Sequence, residues 1–256
     1  MVTIFIHECH KYFVILKYLE RFRMLRNCIN LLIFIISKLK RNKYSVIPDT
    51  KDGLIKLNIG CGLKVAHGWN NIDGSINALI ASWPNFFHKI FYNLSGAKDY
   101  YSFENYSSIL RTNDFFHYDL SCGLPIAEKS VDFIYSSHFF EHLFKDDAIL
   151  LLKSCALVLK PNGIIRIVIP DLEYAISLYS LGEKKFMLDE FFFVQSKKNY
   201  YSRHKYMYDF ELINDLLKEC GFINIVKCSF KLGNTPDIDF LDNYPNISLY
   251  IEAMRP

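Results

Sequence analysis

The pattern of apolar and polar positions predicts alternating strands and helices from about residue 55 onward. Ile55, Leu57 and Ile59 alternate in a short apolar run that ends at a glycine-rich turn, as expected of a buried strand. Two more apolar runs of strand length follow at Val131–Ser136 and Ile164–Ile169. The second is nearly all apolar, which is typical of a parallel strand covered on both faces. We therefore predict an α/β fold in which Ile55–Gly62 contains the first, central strand.

Helical periodicity is clearest in the second half of the chain. Apolar residues recur at helical spacing from Asp146 to Leu159, and the turn residues 160–163 end this run. A further helix is predicted at Leu212–Glu219. Two closing strands, Phe222–Cys228 and Ile247–Ala253, are predicted to form an antiparallel pair at one edge of the sheet.

Polar residues stand where the predicted strands end. Only ten residues separate Gly62 from Asp73, so the first connection is predicted to lack a regular helix. Open α/β sheets bind ligands at the carboxyl ends of their strands, and closely spaced glycines let a ligand approach the backbone. The Asp73 carboxylate suits a ribose because its oxygens can accept hydrogen bonds from two vicinal hydroxyls. The alternative is a turn-forming aspartate beside Gly74.

Five segments of the chain carry a resemblance to a known family. In chain order they read IKLNIGCGLKVAHGWNNIDGS, HYDLSCGLPI, VDFIYSSHFFEHL, LVLKPNGIIRIVIPDLE and HKYMYDFELINDLLKECGF. Together they resemble the class I S-adenosylmethionine-dependent methyltransferases, and more narrowly a bacterial branch associated with cell-surface polysaccharide synthesis. The resemblance implies a Rossmann-like seven-stranded sheet, mostly parallel with the last strand antiparallel, and helices on both faces. It also implies S-adenosyl-L-methionine as the cofactor.

The same resemblance assigns cofactor contacts to particular positions. The expected cofactor-binding residues are Asn58, Gly60, Cys61 and Gly62 along the methionine and ribose, Asp73 at the ribose, Asp119 and the backbone of Leu120 at the adenine, and Ser137. An acidic residue suits the adenine amino group because a carboxylate only accepts hydrogen bonds. For Cys61 the alternative is a small packing residue.

The candidate catalytic residues are His138, Glu141 and His204. His138 and Glu141 are expected to contact the methionyl end of the cofactor or the acceptor, with a polar pair at a helix start as the alternative. His204, next to Arg203, is a candidate base or anion-binding residue, or else part of a solvated cluster. Residues 138–142 also spell H-x-x-E-H, a zinc-peptidase signature. Because the preceding strand fits a methyltransferase better, no metal is expected.

The chain divides into a basic extension and one larger domain. We predict a helical extension at 1–47 and a methyltransferase domain at 53–256, with an aromatic-rich insertion at about 76–113. Aromatic residues in the insertion suit core packing, or stacking on sugars. Residues 11–43 hold nine Lys and Arg against one Glu, whereas residues 44–256 carry a net charge of −4. The extension is expected either to lie on an anionic membrane or to pack on protein.

Charge and cysteine content restrict the partners and the compartment. The catalytic region lacks the clustered basic surface of nucleic-acid binders, so a small molecule or glycan is the expected substrate. The uncharged part of the extension is too short to span a bilayer. Seven cysteines without a C-x-x-C pair indicate buried thiols in a reducing compartment. We predict a cytoplasmic protein with possible peripheral membrane contact through 11–43.

The predicted function is methyl transfer to a sugar of a cell-surface glycan or its precursor. One alternative is a nucleotide-sugar oxidoreductase or epimerase with a Rossmann crevice. That class needs a fuller G-x-G-x-x-G turn, and position 65 is a valine. The other alternative is a catalytically silent protein that binds the cofactor.

Overall fold

A central seven-stranded sheet organises the part of the chain that the computed structural model describes, residues 53–192 and 203–256. The strand order is β3-β2-β1-β4-β5-β7-β6, with β7 antiparallel to both of its neighbours. The strands are β1 (Lys56–Ile59), β2 (Asn70–Asp73), β3 (Asp114–His117), β4 (Val131–Ser137), β5 (Leu159–Pro170), β6 (Ile223–Cys228) and β7 (Ser248–Met254). The predicted architecture, a seven-stranded sheet that is mostly parallel with its last strand antiparallel, is confirmed.

Helices connect the strands and flank the sheet. They are α1 (Ile76–Ile80), α2 (Asn85–Leu94), α3 (Phe103–Thr112), α4 (Lys145–Val158), α5 (Leu172–Ser180), α6 (Lys184–Met187), α7 (Phe210–Glu219) and α8 (Ile238–Leu241). Three 3₁₀ turns lie at Ala97–Asp99, Leu120–Cys122 and Phe140–His142, and a π turn lies at Leu188–Phe192. The sequence places caps where three of the longer helices begin: the Ser102, Asp171 and Asp209 side chains accept hydrogen bonds from first-turn amides.

The core lies along the central strands. Leu57 of β1, Ile134 of β4 and Ile165 of β5 are fully buried in one large apolar cluster together with residues of α4 and α7. Residues 160–163 were predicted to be a turn that precedes the fifth strand. In the structure they lie within β5, which already begins at Leu159. Leu159 pairs with Val131, and a register shift follows, so the extra residues form an irregularity within the strand.

The connection between β1 and β2 contains no helix, as predicted. Trp69 ends this connection with its ring 1% exposed, and its indole nitrogen donates to the Asp237 carboxylate at 2.8 Å. Asp237, which is 168 residues further along the chain, therefore holds the loop between β1 and β2 in place.

Residues between β2 and β3 form a small helical unit with its own apolar cluster. Tyr106 is fully buried, and Tyr92 donates a hydrogen bond of 2.6 Å to the Tyr101 carbonyl oxygen. Phe86 and Tyr100 instead remain 67% and 86% exposed. Core packing thus accounts for some of the aromatic residues here. The description of 76–113 as an insertion stays a prediction.

A buried ion-pair network holds the segment between β6 and β7. The Arg166 guanidinium in β5 donates to Asp242 Oδ2 at 2.7 Å and to Glu252 Oε1 at 3.2 Å, and all three residues are buried. Arg166 also donates to the carbonyl oxygens of Ser229 and Leu232. A single side chain therefore fixes the loop that follows β6.

Several predictions concern residues outside the described ranges. The helical extension at 1–47 and its membrane contact lie there, as do Cys9 and Cys28. Among residues 53–192 and 203–256, no helix is long and apolar enough to cross a membrane. The five cysteines within these ranges carry free thiols.

Candidate active site

The polar residues selected from the sequence meet at the carboxyl-terminal edge of the sheet. Chain order runs outward from β1 to β2 and β3 on one side, and to β4 and β5 on the other. The direction of winding therefore switches between β1 and β4. Open α/β folds bind their ligands in the crevice at such a switch point. Here the switch point lies between the turn after β1 and residues 137–142 after β4.

The turn after β1 requires both of its glycines. Gly60 and Gly62 have φ angles of +65° and +54°, a region that side chains other than glycine rarely adopt. A Cβ atom on Gly60 would overlap the ring of Phe139, whereas one on Gly62 would have no heavy atom within 4 Å. The absence of a side chain at Gly60 therefore lets the turn pack closely against Phe139 in the loop after β4. Gly62 lies beside open space.

Cys61 lies between the two glycines of the turn. Its side chain is buried, and burial together with the nearby Asp73 carboxylate raises the pKa of the thiol. A neutral, buried thiol is a packing residue and a poor nucleophile. Any contribution of Cys61 to cofactor binding would come from its backbone.

Asp73 joins the ends of β1 and β2. Its Oδ2 atom accepts a hydrogen bond of 2.9 Å from the Gly62 amide, and its Oδ1 atom accepts one of 2.7 Å from the Ser75 amide. A carboxylate has about four acceptor positions. The geometry shows that Asp73 orders the turn, and the ribose contact stays a prediction.

Asn58 lies beneath the turn. Its side chain is buried in the sheet, and its amide nitrogen donates to the Lys64 carbonyl oxygen at 2.9 Å and to Asn71 Oδ1 at 3.0 Å. These bonds hold the loop after β1 against β2. A direct contact between Asn58 and the cofactor stays a prediction.

Asp119 and Leu120 follow β3 at the same edge. The Asp119 carboxylate caps the short 3₁₀ turn, because its Oδ1 atom accepts from the Ser121 amide at 3.1 Å and from the Ser121 hydroxyl at 2.7 Å. Both bonds reach the same oxygen. The side chain is half-buried, and the backbone of Leu120 follows directly.

Ser137 and His138 are hydrogen-bonded to residues just before and at the start of β7. The Ser137 hydroxyl donates to Asn243 Oδ1 at 2.8 Å. His138 has a φ angle of +49°, and its Nε2 atom lies 2.8 Å from the Ser248 hydroxyl oxygen. No local pattern indicated these partners, which are more than one hundred residues away along the chain.

Glu141 forms the centre of a histidine cluster. Its side chain is 1% exposed, and its Oε1 atom lies 3.4 Å from His138 Nδ1 and 3.8 Å from His142 Nε2. Among the described residues, neither carboxylate oxygen has a hydrogen-bond partner. His204 joins the cluster, since its ring centre lies 5.2 Å from that of His142. The structure thus brings the three candidate catalytic residues into one region and adds His142, which the sequence analysis did not select.

Backbone carbonyl groups orient two of these rings. His204 Nδ1 donates to the Phe191 carbonyl oxygen at 2.6 Å, and His142 Nδ1 donates to that of Arg203 at 3.2 Å. Burial lowers the pKa of the His204 imidazole, although the Glu141 charge acts in the opposite direction. His204 is therefore favoured in its neutral form.

Comparison with known proteins agrees with this geometry. A family model described as "Methyltransferase domain" matches residues 97–167, which include Asp119 and the whole segment from β4 to Glu141. A comparison with curated proteins gives no match. The match confirms the predicted enzyme class, a SAM-dependent methyltransferase, and the predicted cofactor, S-adenosylmethionine.

Several solved structures are similar to the chain at low identity. One is a SAM-dependent methyltransferase of Thermotoga maritima, a possible histamine N-methyltransferase, with 14% identity, coverage of 92% of this chain and 98% of that chain, and a TM-score of 0.44. Another is a SAM-dependent methyltransferase of Archaeoglobus fulgidus, with 15% identity, coverage of 87% and 94%, and a TM-score of 0.44. Nothing about the acceptor follows from likenesses at this level.

Proposed function

We propose that this enzyme methylates a sugar hydroxyl of a cell-surface glycan or of its lipid-linked precursor. The observation that carries the proposed site is the 2.9 Å hydrogen bond between the Gly62 amide and the Asp73 carboxylate at the switch point of the sheet. The sugar class is supported by the resemblance of the quoted segments to enzymes of polysaccharide synthesis. The basic segment 11–43 would suit a substrate held at an anionic membrane.

The residues at the sheet edge fit the cofactor. The open space beside Gly62 admits a ligand against the backbone, and Asp73 keeps acceptor capacity for the ribose hydroxyls. The Asp119 Oδ2 atom would accept the adenine amino group, because both Ser121 bonds reach Oδ1. When bound, the cofactor supplies a methyl group that its positive sulfonium has already activated. The protein therefore has mainly to align the donor and acceptor.

A base is needed if the acceptor is a hydroxyl. The acceptor oxygen forms a bond to the methyl carbon while the carbon–sulfur bond breaks, and the hydroxyl proton must leave. We assign this proton to His138, whose Nδ1 atom faces the buried Glu141 carboxylate at 3.4 Å. Reaching the acceptor through Nε2 would require the substrate to displace the Ser248 hydroxyl.

A transfer assay with a labelled methyl donor tests the substrate class. The purified full-length chain is incubated with methyl-labelled S-adenosylmethionine and either lipid-linked saccharides, nucleotide sugars or a panel of small amines and phenols. We expect label in a saccharide fraction, and loss of that label with His138→Ala. Label in the small-metabolite panel alone would contradict the glycan proposal, and binding without transfer to any acceptor would favour the silent accessory protein.

A further inference from the structure

We infer that Glu141, His142 and His204 form a binding site for one divalent first-row transition metal ion. One ligand atom from each of the three residues lies within 4.8 Å of the other two. Ligand atoms that bind one ion at about 2.0–2.2 Å lie somewhat closer to one another than 4.8 Å. Small side-chain rotations would therefore bring all three residues into contact with the ion. The sequence analysis expected no metal, because the strand before H-x-x-E-H fits a methyltransferase better, and no local pattern linked His204 to these residues.

The first argument for an ion is the state of the Glu141 carboxylate. Its side chain is 1% exposed, and among the described residues neither oxygen receives a hydrogen bond. A buried carboxylate that receives no hydrogen bonds carries a free-energy cost, which a bound cation can offset. A bound divalent ion would supply that charge and occupy the unused lone pairs.

The second argument is the orientation of the two histidine rings. Each donates its Nδ1 hydrogen to a backbone carbonyl oxygen, His142 to Arg203 and His204 to Phe191. A carbonyl oxygen only accepts, so in each neutral ring the Nε2 atom carries the lone pair. Metal-binding histidines generally have this arrangement, in which the second nitrogen donates to a carbonyl or carboxylate. His142 Nε2 lies 3.8 Å from Glu141 Oε1, close to the separation of two ligands of one ion.

The ligand types indicate which ion would bind. Imidazole nitrogens suit zinc, iron and nickel, whereas magnesium and calcium prefer oxygen ligands. Three protein ligands leave at least one position open, as in catalytic zinc sites. If the proposed methyl transfer holds, an acceptor hydroxyl in that position would lose its proton more readily. Metal binding itself does not depend on that function.

The site can be tested with the untagged full-length protein. After dialysis against a chelator, the protein is titrated calorimetrically with Zn²⁺, Mn²⁺ and, as the ion control, Mg²⁺. We expect one Zn²⁺ or Mn²⁺ ion per chain and much weaker binding of Mg²⁺. Glu141→Gln keeps the side-chain shape but removes the charge, and should weaken binding by at least about a hundredfold, more than is typical for a residue that only orients a ligand.

Two further variants keep the test decisive. His142→Gln alters a partly exposed ligand and serves if Glu141→Gln does not fold. His67→Ala removes an exposed histidine outside the cluster and should leave the affinity unchanged. Absence of stoichiometric binding, equal affinities of wild type and the cluster variants, or loss of binding with His67→Ala would each overturn the inference. S-adenosylhomocysteine binding to the metal-free wild type is measured in parallel, so that failure of the metal site and failure of the proposed function remain distinguishable.

Discussion

The Asp73 carboxylate accepts a hydrogen bond of 2.9 Å from the backbone amide of Gly62, which joins the end of β2 to the turn that follows β1. The second carboxylate oxygen accepts from the Ser75 amide, so one side chain fixes both turns at this edge. The position of the Asp73 carboxylate is therefore coupled to the shape of the glycine turn.

Asp73→Ala should weaken S-adenosylhomocysteine binding by about 10- to 100-fold, the loss expected for one or two hydrogen bonds to a charged group. Titration calorimetry measures this change, with a thermal melt to show that the variant is folded. Asp114→Ala is the matched control, since that side chain is exposed at the start of β3. A folded Asp73→Ala protein with unchanged affinity would remove Asp73 from the site.

Gly60→Ala should destabilise the protein more than Gly182→Ala. Both positions have positive φ angles, so each substitution costs about 1–2 kcal/mol of backbone strain. Only Gly60 also lies against another side chain, the ring of Phe139, and overpacking adds about 1–3 kcal/mol. Urea unfolding of the two variants gives the comparison. Equal losses would show that Phe139 moves away freely.

Asp242→Ala should lower the free energy of unfolding by about 3–5 kcal/mol, because it leaves the buried Arg166 guanidinium without its closest partner. Asp239→Ala removes an exposed carboxylate on the neighbouring helix α8 and should cost little. Denaturant unfolding of the two variants measures the difference in their free energies of unfolding. Similar small losses for both variants would mean that the network contributes little to stability.

Glu252 should make stability dependent on pH in the acid range. Burial alone raises the pKa of this carboxyl, but hydrogen bonds from the Asn234 and Thr235 amides and the Arg166 charge bring it below the ordinary value of 4.5. The unfolded chain therefore binds this proton first, and stability is lost as the pH falls through the folded pKa. The difference in unfolding free energy between wild type and Glu252→Gln should be largest near neutral pH and shrink below about pH 4.5. A difference that stays constant from neutral to acid pH would contradict this assignment.

The sequence contained enough information for the sheet and for the turn that follows β1. The alternation of Ile55, Leu57 and Ile59, followed by two glycines, is a local signal, and Asp73 follows within eleven residues of Gly62. Short-range patterns of this kind fix strand ends and turns, because the backbone geometry itself demands glycine there. The enzyme class and cofactor were predicted from the resemblance of such short segments to a known family.

The contacts of residues 137–142 and of Arg166 were harder to predict because their partners are distant in the chain. The His142 ring bonds to a carbonyl group 61 residues further on, and the Ser137 hydroxyl to a side chain 106 residues away. Arg166 likewise finds Asp242 and Glu252 only when β7 inserts beside β5. A sequence pattern marks these residues as polar, but the register of the sheet decides which of them meet.

The most direct test of the account is a calorimetric titration of the purified full-length chain with S-adenosylhomocysteine and, separately, with NAD. We expect saturable binding of the adenosyl ligand to one site per chain and no binding of NAD, because the turn after β1 is open at Gly62 and lacks the third glycine of a dinucleotide-binding turn. Binding of NAD in preference to S-adenosylhomocysteine, or binding of neither, would contradict the assignment of this sheet edge as a methyl-donor site.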